Sequence, residues 1–107
     1  MENFRLKVFR AVATNLNFRR AGEQLHLTQP AVTLQIKSLE EELSVSLLDR
    51  TGNRVSLTPA GEILLKHANA IAERVAEAQE ELAALNGEHA GELRIGASSS
   101  IAQYVVP

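Results

Sequence analysis

LTQPAVTLQIKSLEEEL, residues 27–43, divides at Thr28. The Thr28 side-chain oxygen can cap a helix whose first turn contains Pro30. Proline is tolerated there because its missing amide would have had no intrahelical partner. Val32, Ile36, Leu39 and Leu43 then recur at helical spacing and form one apolar stripe. Gln29, Thr33 and Lys37 fall on the side away from it. The Glu40-Glu41-Glu42 run reads mostly as a solvated face.

Upstream, Leu6, Phe9, Val12 and Ala13, with Phe4 and Val8 beside them, predict a first helix over 2–14. Asn15-Leu16-Asn17 breaks it. Asn17 is a fitting cap for a short second helix over 18–25, with Ala21 and Leu25 on its buried side. His26 and Leu27 make a tight turn into the helix of the opening stretch.

Downstream, the period changes. Val45, Leu47 and Leu48, then Val55 and Leu57, flank RTGNR and predict a two-stranded hairpin over 46–58. Gly52-Asn53 supplies its positive-φ turn, with Arg50 and Arg54 at a basic tip. LTPAGE repeats the helix-start signal, Thr58 as cap and Pro59 in the first turn. A long helix follows over 59–87, ended by Asn86-Gly87. Leu64, Ala68, Ile71, Val75, Ala78, Leu82 and Leu85 step by fours and threes along it, a heptad seam. A rod of that length with one apolar stripe is expected to pair with a second chain, giving a homodimer. EHAG reads as a linker, ELRIGASSS as a strand, and IAQYVVP as the start of another helix. A lone strand and a helix start cannot form a core, so residues 88–107 are expected to open a further domain of a longer protein.

Composition narrows the function. The 107 residues include no Cys, which excludes disulfides and thiolate metal sites. His26, His67 and His89 are far apart, and nothing in the spacing supports a metal site or a cofactor. No apolar run approaches membrane-spanning length, and the N-terminus is not a signal peptide, so a cytoplasmic protein is expected. The net charge of −2 hides an asymmetry. Residues 1–58 hold eight Lys/Arg and six Asp/Glu, net +2, and residues 59–107 hold three and seven, net −4. A basic front suits a polyanion, although a solvated basic face is the commoner cause of such a bias.

The fold class expected is mainly α: a winged helix-turn-helix over 1–58, then a long dimerisation helix. In a helix-turn-helix the second helix of the motif enters the DNA major groove N-terminal end first. Gln29 can bond adenine N6 and N7, and Thr33 can meet base edges or a thymine methyl. Pro30 and Ala31 offer small apolar surfaces. Lys37, a turn further on, suits a phosphate.

At these residues the sequence resembles the LysR-type transcriptional regulators. NFRRAGEQLHLTQPAVTLQIKSLEEEL, LLDRTGNRVSLTPAGE, the long helix and LRIGASSSIAQYVVP stand in that family's order and spacing, over nearly the whole chain. The resemblance implies a winged helix-turn-helix, a dimerising linker helix and, downstream, a periplasmic-binding-protein-like effector domain. It implies double-stranded DNA as partner, an interrupted palindrome as target, and a higher oligomer in the complete protein. It further implies that Gln29, Pro30, Ala31 and Thr33 read bases, that Thr28 and Arg50 contact backbone, and that Arg54 enters or borders the minor groove. Ser98, Ser99 and Ser100 would meet a small-molecule effector, in the complete protein alone. There are departures from the family pattern. Leu34 stands where many members carry a polar reader. Gly22 replaces the usual Ala at about 1 kcal/mol in helix propensity. Ser44 replaces a common Gly, Leu48 a common Phe, and Arg19 a small hydroxyl residue where it can add a phosphate contact.

Other readings compete. Gln29 and Thr33 can be ordinary surface residues and Arg50 a hairpin ion pair with Asp49 or a nearby Glu, and a DNA role for Arg19 and Arg20 is no better favoured than none. The heptad stripe can be internal core, and Ser98–Ser100 a helix cap. The whole can be a coiled-coil interaction module. An enzyme has little support, because there is no nucleophile beside a base, no metal-ligand cluster and no phosphate-cradling loop.

Overall fold

The computed structural model describes residues 2–90, with side chains over 2–86. Residues 91–107, which hold the expected strand and Ser98–Ser100, lie outside the described residues. Two compact units divide the chain, Met1–Ile71 and Ala72–Pro107.

The first unit is built from capped helices. Helix α1, Phe4–Asn15, begins with the Asn3 side chain accepting from the Leu6 amide at 3.2 Å. It ends on Leu16 in the left-handed region, φ 49°. Helix α2, Phe18–Leu25, begins on Asn17, whose side chain accepts from the Arg20 amide at 2.8 Å. His26 closes it, also left-handed at φ 60°. The Leu27 amide returns to the Gly22 carbonyl at 2.8 Å. A Cβ built on Gly22 would stand 2.6 Å from the Leu27 carbonyl oxygen, so glycine lets the turn close onto α2 and is more than a propensity penalty.

Helix α3, Gln29–Leu43, starts as the sequence indicates. Thr28 Oγ1 accepts from the Ala31 amide at 3.2 Å, and proline sits in the first turn. Val32, Ile36 and Leu39 are buried against Val8, Phe9, Val12, Phe18 and Ala21. The stripe stops there. Leu43, expected to continue it, is exposed, as is Phe4. Both lie at helix ends. Ser44 ends α3 at φ 57°.

The wing is smaller than expected. Strands β1, Leu48–Asp49, and β2, Ser56–Leu57, pair antiparallel, Leu48 with Leu57 and Asp49 with Ser56. Gly52 takes positive φ at 68°, but Asn53 does not. The connection is therefore a six-residue loop, 50–55, and not a two-residue turn. Leu47 and Leu48 carry the wing into the core.

Helix α4, Pro59–Ala90, continues through Asn86-Gly87, where the sequence suggests an end. A single helical Gly costs only about 1 kcal/mol, which does not oblige the chain to stop. Thr58 ties the start of α4 to the wing. Its amide donates to the Leu47 carbonyl at 3.1 Å, its hydroxyl donates to the Ser46 carbonyl, and its Oγ1 accepts from the Gly61 amide at 3.0 Å. Ala60, Leu64 and Leu65 pack against the core of the first unit.

The glutamate run is mostly a solvated face, with Glu41 and Glu42 exposed, but Glu40 departs from it. Glu40 Oε2 accepts from the amides of Leu47 at 2.8 Å and Leu48 at 3.3 Å. Glu42 pairs with Arg5 at 2.6 Å. Of the three, Glu41 alone makes no ion pair or side-chain hydrogen bond among the described residues.

Candidate nucleic-acid interface

The buried stripe of α3 fixes what its other side shows. Gln29 and Pro30, its first two residues, and Lys37 are exposed, while Ala31 and Thr33 are half-buried. Thr28 is exposed too, and its hydroxyl hydrogen stays available because Oγ1 only accepts in the cap. Leu34, also on this helix, is 65% exposed. It is two positions from both Val32 and Ile36, and at ~100° per residue that is nearly the opposite side of the helix.

A basic cluster gathers beside α2. Arg50 places its guanidinium carbon 4.2 Å from the Phe18 ring centroid. It does not pair with Asp49, whose carboxylate takes the Thr51 hydroxyl and, at 3.0 Å, the Thr51 amide. Those bonds, the hydroxyl's first, hold the Asp49 carboxyl below its usual range. Phe18 is buried and is followed directly by Arg19 and Arg20. Three arginines therefore stand around the N-terminus of α2, where unpaired amides also favour an anion. Arg19 is engaged by Glu23 at 2.7 Å, a pair with both side chains mostly exposed and so of little strength. Arg20, Lys37, Arg50 and Arg54 make no ion pair among the described residues. Arg54 sits in the exposed loop of the wing.

The expected dimer seam divides. Ala68 is fully buried within the single chain, at 0% exposure, and Leu64 packs on the core. Ala68 is thus an internal contact of the first unit, which corrects its place in the seam, while Leu64 is only partly buried there. Ile71 is 42% exposed, Val75 and Ala78 are half-buried, and Leu82 and Leu85 are exposed. Ile63, absent from the expected seam, is exposed. Heptad spacing finds Leu64 and passes over Ile63 because it records period and not what covers each position. Phe18 was likewise invisible as a partner for Arg50, which is 32 residues away in sequence.

Helices α1, α2 and α3 closing on one core, with α3 presented and a two-stranded wing behind it, define a winged helix-turn-helix. The family model described as "Bacterial regulatory helix-turn-helix protein, lysR family" matches residues 4–62, and the chain belongs to that family. It is 42% identical to a RuBisCO operon transcriptional regulator of Allochromatium vinosum, over 95% of this chain and 33% of that protein. It is 44% identical to the HTH-type transcriptional regulator CbbR of Rhodospirillum rubrum, over 95% of this chain and 34% of the relative. The chain thus spans about a third of the length of the curated relatives it matches. Among solved structures, the CbnR_DBD–DNA complex matches with a TM-score of 0.72 at 37% identity, covering 80% of this chain and 99% of that one. The BenM_DBD/catB site 1 DNA complex matches with a TM-score of 0.73 at 33% identity, covering 77% and 91%. Among the described residues, no helix is long and apolar enough to cross a membrane.

Proposed function

We propose that the chain is the promoter-recognition part of a LysR-type transcriptional regulator, acting in the cytoplasm as a non-enzymatic, sequence-specific binder of double-stranded DNA. The observation that carries this reading is α3: one stripe is locked in the core while Pro30, Leu34 and Lys37 stand free at its opposite side and Gln29 is exposed at its first position. Such a helix fits the major groove with its N-terminal turns against base edges. Gln29 suits adenine, Thr33 a base edge or methyl, and Lys37 a phosphate. The Thr28 hydroxyl, Arg20, and Arg50 stacked on Phe18 suit backbone phosphates on one side, and Arg54 suits the phosphates or minor groove beside the wing. The relatives crystallised as DNA complexes support the same placement by likeness.

A second copy completes the reader. The exposed apolar positions of α4, Ile71, Leu82 and Leu85 with Val75 and Ala78 between them, suit a homodimer that carries two α3 helices to the half-sites of an interrupted palindrome. In a longer regulator of this family, an effector-binding domain and a higher oligomer would complete the assembly.

The test is affinity for duplex DNA across a salt series. Binding is expected to weaken with a slope of about −0.9 per phosphate neutralised. Gln29→Ala is expected to lose ~1–3 kcal/mol on a selected duplex while binding to random duplex is unchanged. Flat salt dependence would instead favour a protein-interaction module, and equal losses on both duplexes would remove Gln29 from base reading.

A further inference from the structure

The outward face of α3 is apolar at its centre. Leu34 is 65% exposed and adds nothing to the core. Pro30 precedes it by four residues and Ala31 by three, so both are its neighbours on the helix surface. Pro30 is exposed and Ala31 half-buried. Thr33 and Lys37 flank this patch with polar groups, and Gln29 opens the helix beside it. A major-groove floor offers donors, acceptors and a single apolar group, the C5 methyl of thymine. Leucine has neither donor nor acceptor. Seated over an amino, carbonyl or ring-nitrogen edge, it would strip water from a polar atom and give nothing back, which is costly. Over a methyl it buries apolar surface on both sides.

We propose that Leu34, backed by Pro30 and Ala31, is a specificity-determining residue that packs on the C5 methyl of one thymine in each half-site. This rests on the reading of α3 as the major-groove helix. It assigns an A·T pair to the step facing the first two turns of α3, recognised by its methyl group alone. Gln29 can read a separate adenine, so the half-site has two A·T requirements of different chemistry.

The experiment begins with duplexes selected from a random pool by the wild-type chain. Each thymine of the consensus is replaced in turn by deoxyuridine, which removes the methyl and leaves the pairing edge intact. One thymine per half-site is expected to lose about fourfold in affinity, the factor that one methyl-sized contact corresponds to. In Leu34→Ala that thymine is expected to become insensitive to the replacement, while other positions keep their wild-type response. Leu34 is exposed, so the variant should keep the wild-type helical signal and melting point. If no thymine is sensitive in the wild type, or the sensitivity persists in Leu34→Ala, the methyl reading is overturned while DNA binding stands. If no duplex is enriched at all, both readings fall.

Discussion

The guanidinium carbon of Arg50 lies 4.2 Å from the ring centroid of Phe18, so the first residue after β1 is seated on the first residue of α2. The contact joins the wing to the helix-turn-helix without an ion pair. Among the described residues the Arg50 guanidinium makes no hydrogen bond or ion pair, so its N–H groups are free for a phosphate.

Replacing Arg50 separates these two roles. Arg50→Ala is expected to lose about 0.5–1 kcal/mol of stability from the ring contact. It should also flatten the salt slope of DNA binding by about one unit. Arg50→Lys keeps the charge and should keep the slope, while losing the planar stacking. Urea denaturation and binding at several salt concentrations measure both effects. An unchanged slope in Arg50→Ala would mean that the arginine only braces the wing.

Gly61 is a packing requirement. A Cβ there would stand 2.1 Å from the Leu47 carbonyl oxygen and 3.0 Å from Leu57 Cδ2. The Leu47 carbonyl is held in place by the Thr58 amide, so it cannot retreat cheaply. Gly61→Ala is expected to destabilise the first unit by about 2–3 kcal/mol, as overpacking of a closed contact does. A urea midpoint equal to wild type would refute this close approach of α4 to the wing.

Ser44 points the other way. It closes α3 with φ 57°, a conformation in which an L side chain is strained and glycine is not. The position is exposed, and its main-chain bonds to Glu40 and Glu41 do not involve the side chain. Ser44→Gly is expected to raise stability by about 1 kcal/mol, read as a higher melting temperature with unaltered DNA affinity. A lower melting temperature would show that the αL cap is not the dominant cost here.

The proposed dimer is best broken at Leu82. It is 58% exposed and forms no part of the core of the first unit. Leu82→Glu would bury an unpaired charge in each partner at a cost of several kcal/mol, relieved by dissociation. The variant is expected to sediment as a monomer and to lose the ~10²–10⁴ advantage of a two-half-site duplex over a single half-site. A dimer of wild-type mass would place the association surface elsewhere.

Local chemistry was legible in the sequence and long-range covering was not. Thr28 with Pro30, and Asn17 before Phe18, state helix starts outright, because a cap needs only residues within one turn. The outward place of Lys37 follows from Val32, Ile36 and Leu39 alone, whereas Gln29, three residues before Val32 and seven before Ile36, owes its exposure to the helix start. Leu43 and Ala68 were misplaced because a periodic pattern says which side of a helix is apolar and not where its cover begins and ends. Glu40 was hidden for a related reason: inside a run of three glutamates, no local feature marks the one that meets the amides of Leu47 and Leu48.

Those two amide bonds make α3 a helix with separate tenants. Ile36, Leu39 and Glu40 belong to the scaffold, since they hold the core and fasten the entry to the wing. Gln29, Pro30, Leu34 and Lys37 belong to the surface, and none of their side chains forms an internal hydrogen bond or ion pair among the described residues. On the proposed reading of α3, exchange among the second group would alter which DNA is preferred at almost no cost in folding. Exchange in the first group unfolds the domain or loosens its wing before specificity enters. A lineage carrying this helix can therefore follow a drifting operator one side chain at a time, each intermediate remaining a folded protein.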